Sequence, residues 1–443
     1  MADIALTVTY FAFLLGFGVL IANVLKKAKI PDTFFLLLLG LVMGPTVFLS
    51  PMITQYMSIT LVDVSVMGDI PDFLRILALI LVVFTGTFNL SMRVFQRVSD
   101  ISVKLAFLGV FFNTVFFGII ASFMFQMNII YALLLGAVVS GTGTGVLYAF
   151  ETALSKYKKV ITVIKVESIF NSPLTVLLPI LFLDLVYLEP GALLEPLKYM
   201  TIFWQMIAAG VGTGLIIGFA VSKLLKSTLR EYTPLLVFAI ALITYAMAEA
   251  VGGSGMLAVA ICGLIAGNMV FKDRDDKERQ EVKQFDDQLS EMLRISVFTL
   301  LGAQVALPLG DPMLLMAFIF FLIVFFSRPL FLIPSLGKMR QSLSKRDMIL
   351  MNFVSPRGLS AAAMAPLIST TMLSIPNLVN AESLATQMVN IIFIVVLLSV
   401  LFSTIVAWTM SLPRFNQPAK RKPKQPVDEK EMEMEQIEKA GSG

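Results

Sequence analysis

Two ionisable side chains lie inside apolar stretches of this sequence, Glu167 and Arg357. Glu167 and Asn171 are four residues apart and would share one face of a helix, with Ser168 and Ser172 on the adjacent stripe. Because a charge buried among apolar residues is costly, such a residue usually marks a functional site and needs a partner. Arg357 is the best candidate partner, so the sequence predicts a buried Glu167–Arg357 ion pair. This pair could line a solute pathway, or it could only fix two helices to each other.

Two apolar segments are interrupted by helix-breaking residues. The first, YALLLGAVVSGTGTGVLYAF, carries Gly141, Gly143 and Gly145 at alternate positions, and each glycine costs a helix about 1 kcal/mol relative to alanine. The second, MILMNFVSPRGLSAAAMAPL, is interrupted at residues 355–358. Two interrupted helices at matching positions of two halves are typical of inverted-repeat transporters. The glycines alone could instead allow close helix packing.

The composition excludes most other classes of protein. Of 443 residues, 57% are hydrophobic and 14% charged, and the mean hydropathy is +0.85, whereas soluble proteins carry about 25% charged residues. The chain has no His, which excludes His-based zinc sites and Ser-His-Asp triads, and its one cysteine, Cys262, cannot form an intrachain disulfide. We expect an all-α polytopic membrane protein that is not an enzyme, with no cofactor, resident metal or nucleic-acid partner.

Hydropathy between charged loops predicts thirteen transmembrane helices, with the two breaks in spans 5 and 12. The spans lie near residues 4–25, 33–49, 71–90, 103–125, 130–150, 160–187, 199–222, 233–250, 254–271, 290–308, 312–334, 347–371 and 387–412. Every odd-numbered span is followed by a basic loop, whereas the even-numbered connections hold only Arg75 and Lys198 of the 34 basic residues. The positive-inside rule then places the N-terminus outside and the C-terminus in the cytoplasm of a multi-pass plasma-membrane protein.

The chain divides into a membrane transporter domain, residues 1–412, and a charged cytoplasmic tail, residues 413–443. The first apolar run is full-length and has no basic region before it, so we interpret it as a retained span rather than a cleaved signal peptide. The tail is basic and then acidic, which indicates a solvated segment with its basic part near membrane lipid; a regulatory helix is the alternative. The last three residues, 441–443, resemble an expression remnant.

At these residues the chain resembles the sodium/proton exchanger family of monovalent cation–proton antiporters, especially its archaeal and bacterial members. The resemblance covers nearly the whole membrane domain and includes KIPDTFFLLLLGLVMGP, GAVVSGTGTGVLYAF, KVESIFNSPLTV, GSGMLAVAICGLIAGN, QFDDQLSEMLRISVFTLLGA and SPRGLSAAAMAP. It implies a homodimer with a scaffold of spans 1–3 and 8–10 and a mobile core of spans 4–6 and 11–13, linked by span 7. It also implies crossed broken helices and elevator-like alternating access.

The ion site of the resembled family is altered in this chain. The family's Thr-Asp-Pro aligns with Thr142, Gly143 and Thr144, so glycine replaces the first aspartate. The family's Asn-Asp aligns with Asn171 and Ser172, so serine replaces the second. Both usual ion-site aspartates are therefore absent.

The rest of the site matches the family, and the resemblance implies that its arginine pairs with its glutamate. The matching residues are Glu167, Ser168, Asn171 and Arg357. Arg294 is a secondary candidate. It is weaker because both it and Arg328 could lie near the cytoplasmic surface.

The resemblance implies a secondary-active transporter that exchanges Na⁺, K⁺ or Li⁺ for H⁺. Such exchange depends on a buried carboxylate that binds either a proton or a cation. Glu167 is the one titratable group left at the site, and Arg357 would hold it ionised. Two alternatives stay open: a transporter of the same fold that carries another solute or an anion without proton coupling, and a membrane sensor that does not transport.

Overall fold

The structure of the chain is a computed structural model that describes residues 2–28, 30–44, 62–187, 196–227, 233–269, 276–305, 307, 312–375 and 380–412. The predicted cytoplasmic tail, residues 413–443, lies outside this part of the chain. The α-helices of the described ranges are α1 (Ala2–Lys27), α2 (Thr33–Met43), α3 (Ile70–Phe88), α4 (Met92–Phe125), α5 (Ile129–Ser140), α6 (Gly145–Phe150), α7 (Lys158–Tyr187), α8 (Pro196–Ser227), α9 (Thr233–Ala250), α10 (Gly255–Met269), α11 (Asp276–Gln304), α12 (Pro312–Phe326), α13 (Arg328–Ser335), α14 (Lys345–Phe353), α15 (Leu359–Ser374) and α16 (Ala381–Ser411).

The predicted all-α polytopic architecture is confirmed. Each predicted span coincides with one helix or with two consecutive helices. Among the described residues, nine helical segments are long and apolar enough to cross a bilayer, and α2, α10 and α15 are shorter apolar helices. The number of thirteen crossings stays a prediction.

Both predicted breaks are present. The first helix of span 5 ends at Ser140 and the next begins at Gly145, and in span 12 the chain leaves the helix after Phe353 and re-enters it at Leu359. The structure also breaks span 11 at Ser327, between α12 and α13, which the sequence analysis did not predict. The reason is Pro329 in the first turn of α13, because proline lacks an N–H group and cannot continue the preceding helix.

The helices form two packed groups. In one group, α2 and α3 pack against α11, and α10 packs against α3 and α8. In the other, α4 packs against α5 and α7, and α15 packs against α16. In the first group α2, α3, α10 and α11 belong to predicted scaffold spans, whereas α8 is the predicted linking span 7. The second group consists of predicted core spans, and α15 contacts both α3 and α11 of the first group. The division into a fixed scaffold and a mobile core stays a prediction.

Small residues allow the closest helix contacts in the first group. A Cβ atom on Gly40 would overlap the backbone of Thr299, and one on Gly302 would overlap the carbonyl of Leu37. Helix pairs within a membrane gain little from the hydrophobic effect and depend on such close packing. The contact fixes α2 against α11, whose other faces meet α3 and α15.

Candidate functional site

The two broken helices cross where their extended segments, residues 141–144 and 354–358, meet. The N–H of Gly143 donates to the carbonyl of Pro356 over 2.7 Å. A Cβ atom added to Gly143 would lie 2.7 Å from the Cα atom of Gly358, and one added to Gly358 would lie 2.7 Å from the Cα atom of Gly143. The two backbones therefore approach too closely for a side chain on either residue.

Helix α7 packs its polar face against the first extended segment. The Asn171 Nδ2 atom donates to Thr142 Oγ1 over 2.7 Å, and the Ser168 hydroxyl donates to the Thr142 carbonyl over 2.7 Å. Ser172 donates its hydroxyl to the carbonyl of Ser168 over 2.8 Å. Thr142, Ser168 and Asn171 are buried, whereas Ser172 is partly exposed. The structure thus brings together four of the polar residues that the sequence placed in the site.

This cluster presents neutral oxygens. The Oδ1 atom of Asn171 is buried and has no hydrogen-bond partner, and Thr144, the residue before α6, is partly exposed like Ser172. Among the described residues, no group of three or more His, Cys, Asp or Glu side chains could hold a metal ion. A cation at the crossing would therefore meet hydroxyl, amide and carbonyl oxygens without a carboxylate at positions 143 or 172.

Arg357 binds the freed carbonyl groups at the end of α5. Its Nη1 atom donates to the carbonyls of Ser140 and Gly141 over 2.8 and 3.1 Å, and its Nη2 atom donates to the carbonyl of Val324 over 3.4 Å. Its backbone N–H donates to the Ser399 hydroxyl over 2.9 Å. A cation is favourable at a helix C-terminus, where unpaired carbonyls concentrate negative potential. Arg357 therefore compensates the break in span 5.

The predicted ion pair between Glu167 and Arg357 is wrong, because Glu167 pairs with a different arginine. The partner of Glu167 is Arg328, whose Nη2 atom donates to both carboxylate oxygens over 2.9 and 2.8 Å. The two side chains are 2% and 4% exposed, so the pair is fully buried. The Nε atom of Arg328 also donates to the carbonyl of Met351 at 2.7 Å, which fixes α7 and α13 to α14.

The physical reason for this difference is the break at Ser327. Hydropathy alone places Arg328 near a membrane surface, because it follows a long run of Phe and other apolar residues. The chain instead starts a new helix at Arg328, and the arginine is buried there. The Ser327-Arg328-Pro329 sequence carried the missed signal, since proline in a first turn marks a helix start.

The buried charges at the crossing do not balance. Glu167 is attracted to both arginines, but Arg357 is also repelled by Arg328. The three groups are one carboxylate and two guanidinium groups, so their sum is +1 when all are ionised. The site therefore carries a net positive charge.

Arg294, the secondary candidate, lies beside the site and not in it. It binds Asp32 over 2.6 Å and Glu291 over 2.7 Å, and it donates to the Thr33 hydroxyl over 3.1 Å. That hydroxyl is 3.6 Å from the position of a Cβ atom on Gly145. Arg294 therefore braces α11 against the start of α2 and reaches the crossing only through Thr33.

The buried pair predicts a strong energetic coupling. Arg328→Ala should lower the free energy of unfolding by about 3–5 kcal/mol, because it leaves the Glu167 carboxylate buried without its partner. A double-mutant cycle with Glu167→Gln and Arg328→Gln, measured by detergent unfolding, should give a larger coupling energy than the matched cycle with Arg357→Gln. A larger coupling with Arg357 would contradict this assignment of partners.

The close backbone contact predicts that position 143 tolerates no side chain. Gly143→Ala should destabilise the protein by about 1–3 kcal/mol, because the added methyl group forces the two extended segments apart. Gly145→Ala is the matched control, since its Cβ atom would meet only the Thr33 hydroxyl at an ordinary contact distance of 3.6 Å. Thermal unfolding of both variants measures the difference, and equal midpoints would refute the steric explanation.

Comparison with known proteins relates this geometry to a transporter family. The family model described as "Sodium/hydrogen exchanger, transmembrane" matches residues 11–411. The "Probable Na(+)/H(+) antiporter 2" of Methanocaldococcus jannaschii is 28% identical over 437 residues, which is 95% of this chain and 99% of that protein. The "K(+)/H(+) antiporter NhaP2" of Shewanella sp. (strain ANA-3) is 27% identical over 289 residues, which is 64% of this chain and 48% of that protein.

A solved structure shows the same fold. The sodium proton antiporter MjNhaP1 from Methanocaldococcus jannaschii matches with a TM-score of 0.77 and 23% sequence identity, over 91% of this chain and 99% of that chain. The family model extends from the first described helix to the last, and it includes both broken helices and the polar face of α7. This chain therefore belongs to the sodium/hydrogen exchanger family of transmembrane proteins.

Proposed function

We propose that this protein is a secondary-active transporter that exchanges a monovalent cation, Na⁺, K⁺ or Li⁺, for a proton by elevator-like alternating access. The observation that carries the proposal is the crossing of two broken helices against a buried cluster of neutral oxygens on α7. Irregular backbone at such depth is tolerated where it is buried in protein or lines a cavity. The relatives named as Na⁺/H⁺ and K⁺/H⁺ antiporters support the choice of a monovalent cation and a proton.

The cation would bind at the oxygens around Thr142. Hard cations prefer oxygen ligands, and Asn171 Oδ1 is a buried acceptor without a partner. Ser172, the next residue on α7, and Thr144, two residues after Thr142, are partly exposed and also carry hydroxyl groups. Because Gly143 and Ser172 bring no carboxylate to this position, we expect weaker cation binding than at a site with one.

The proton would bind at Glu167, which must then separate from Arg328 in part of the cycle. Both carboxylate oxygens accept from Arg328 in this structure. Proton binding at Glu167 would compete with these two bonds, because a positive partner favours the ionised form of a carboxylate. Loosening of α13 from α7 is therefore a requirement of proton coupling through this residue.

The net positive charge of the site favours a second candidate function. With Arg328 and Arg357 opposite one carboxylate, the buried charge sum of +1 attracts an anion and disfavours a cation. A transporter of this fold that carries an anion or another solute without proton exchange is the alternative. The two candidates differ in whether internal pH changes during solute flux.

Proteoliposome flux with an internal pH reporter tests the proposal. The wild type should exchange external Na⁺, K⁺ or Li⁺ for internal protons, and Glu167→Gln should abolish the proton movement because the variant has no titratable group there. Ser172→Asp should strengthen cation-dependent proton exchange, since it returns a carboxylate to the partly exposed face of α7 beside Thr142.

Three outcomes would contradict the assignment. Undiminished proton-coupled flux in Glu167→Gln would place the coupling group elsewhere. Anion flux without a pH change would favour the second candidate function. Ser172→Ala is the matched control for Ser172→Asp, because it changes the same position without adding a titratable group, and an equal gain in both variants would exclude a role for the carboxylate.

Alternating access requires contacts between the two helix groups that break during the cycle. One such contact joins α3 to α15, where the Thr370 hydroxyl donates to Asp72 Oδ2 over 3.0 Å. Asp72 is held by the fully buried Arg75, whose Nη2 atom donates to Gln304 over 2.6 Å. This network anchors Asp72 to the predicted scaffold, whereas Thr370 belongs to the predicted core.

Covalent linkage across this contact should stop transport if the core moves. Asp72→Cys combined with Thr370→Cys should lose flux after oxidation and regain it after reduction, while each single variant should be insensitive to the same treatment. The one native cysteine, Cys262, is buried, which limits background reaction. Full flux in the oxidised, cross-linked double variant would contradict elevator-like movement between these groups.

We further infer a homodimer in the plasma membrane, with the N-terminus outside and the C-terminus in the cytoplasm. The resemblance implies the dimer, and the loop charges support the orientation. Helices α1 and α8 present widely exposed apolar side chains, including Leu20 and Ile216. Such faces are suited to membrane lipid or to a second copy of the chain.

A further inference from the structure

A partly exposed face of α7 leads from the start of the helix to the crossing. Between residues 160 and 179, the partly exposed residues of α7 are three or four positions apart and share one face: Thr162, Lys165, Ile169 and Ser172. The next positions along that face, Thr175 and Val176, are buried. The face is therefore open toward the start of α7, the end that the loop charges assign to the cytoplasm, and closed beyond Ser172.

A second exposed face belongs to α6 and the residues that flank it. Thr144 is partly exposed, and Tyr148 and Glu151 are widely exposed, at spacings of four and three residues. The Tyr148 hydroxyl forms a hydrogen bond with the Thr144 side chain. This face begins two residues after Thr142, which α7 contacts through Asn171. The exposed faces of α6 and α7 thus meet at the crossing and form two walls of a route to it.

Helices of the other group lie opposite these two walls. A Cβ atom on Gly86 of α3 would lie 3.2 Å from Ile169 Cγ1, and Asp287 of α11 acts electrostatically on Tyr148. The Thr33 hydroxyl, at the start of α2, is close to Gly145 of α6. The route therefore runs between the two groups of helices and not along a surface that faces lipid.

Lys165 joins the two walls of the route. Its Nζ atom is 2.7 Å from Glu151 Oε1 and 4.3 Å from the centroid of the Tyr148 ring. Only 19% of the lysine side chain is exposed, so its ammonium group needs such partners in place of water. Lys165 is seven residues before Ser172, which places its Cα atom about 10 Å from that of Ser172 along the helix.

The carboxylates near Lys165 do not cancel its charge at the crossing. Glu151 is 54% exposed, and water and salt screen an exposed charge more than a buried one. Asp287, on the opposite side of the route, is attracted to Lys283 and Lys26. An ion that moves along α7 toward Ser172 therefore passes a positive charge at the level of Lys165.

We propose that Lys165 is a specificity-determining residue of this route: its ammonium group, positioned by Tyr148 and Glu151, slows the entry of cations to the crossing and speeds the entry of small anions. The lysine acts through its charge and does not bind the transported ion. This inference deepens the proposed function and rests on it in one respect, that the crossing is the site the ion must reach.

Thiol reagents of opposite charge measure entry along the route without transport. Ser172→Cys places a thiol at the inner end of the route in the full-length protein, and the native Cys262 is buried. The probes are two methanethiosulfonates, one with a trimethylammonium group and one with a sulfonate group, used at low ionic strength. The ratio of their two rates cancels any change in the reactivity of the thiol, because both reagents react with the same group.

Addition of Lys165→Gln to Ser172→Cys should raise the ratio of the cationic to the anionic rate about fourfold, because one unit charge at 10 Å changes each rate about twofold even at the dielectric constant of water. Glu151→Gln should lower the ratio, since it removes the counter-charge of the lysine. Lys159→Gln is the matched control: it removes the same charge from an exposed position in the first turn of α7 and should leave the ratio almost unchanged.

The proposal is overturned if Lys165→Gln leaves the ratio unchanged, or if Lys159→Gln raises it equally. Lys165→Arg should keep the ratio of the parent protein because it keeps the charge, and Lys165→Met is the second variant if the glutamine protein does not fold. A thiol at position 172 that reacts with neither reagent would also contradict the route. Absence of cation or proton flux in the wild type would count against the proposed function only, because thiol labelling does not require transport.

Discussion

The backbone groups freed at the crossing must find partners inside the protein, and this constraint organises the site. Where water is excluded, each unpaired carbonyl or N–H group costs about 1–3 kcal/mol. Arg357 donates hydrogen bonds to the carbonyls of Ser140 and Gly141, and the N–H of Gly143 donates to the carbonyl of Pro356. These bonds join the end of α5 to the segment that precedes α15, and they hold Thr142 where the polar face of α7 contacts it.

The charge of Arg357 has a further effect on the chemistry of the site. Glu167 already neutralises Arg328, so the charge of Arg357 is left over. The two aspartates that the resemblance places at positions 143 and 172 would change the sum from +1 to −1 if both were ionised. The same backbone frame would then attract cations more strongly than it does now. Arg357 therefore has two effects. It stabilises the broken helices, and it leaves a net positive charge that carboxylates at positions 143 and 172 would reverse.

The sequence predicted the features that depend on local spacing. Glycines at alternate positions predicted the break in span 5, and the four-residue spacing of Glu167 and Asn171 predicted a shared helix face, although the two residues have different partners. The partner of Glu167 was not predicted, because hydropathy gives approximate depth but not the direction of a side chain, and the helix start that Pro329 marks was missed. The burial of Asp286, which is 1% exposed, was not predicted because its neighbours in sequence are charged; the packing of α11 against α3 accounts for it.

The contact between Gly143 and Gly358 sets the order in which evolution could restore an acidic site. A carboxylate at 143 needs room that the Gly358 backbone now occupies, so that change is harmful until the two segments have moved apart. Position 172 is partly exposed and presents no such obstacle. Because residues in contact affect each other's substitutions, a lineage regaining carboxylate chemistry would pass through position 172 first. The present crossing therefore constrains which of the two positions can change first.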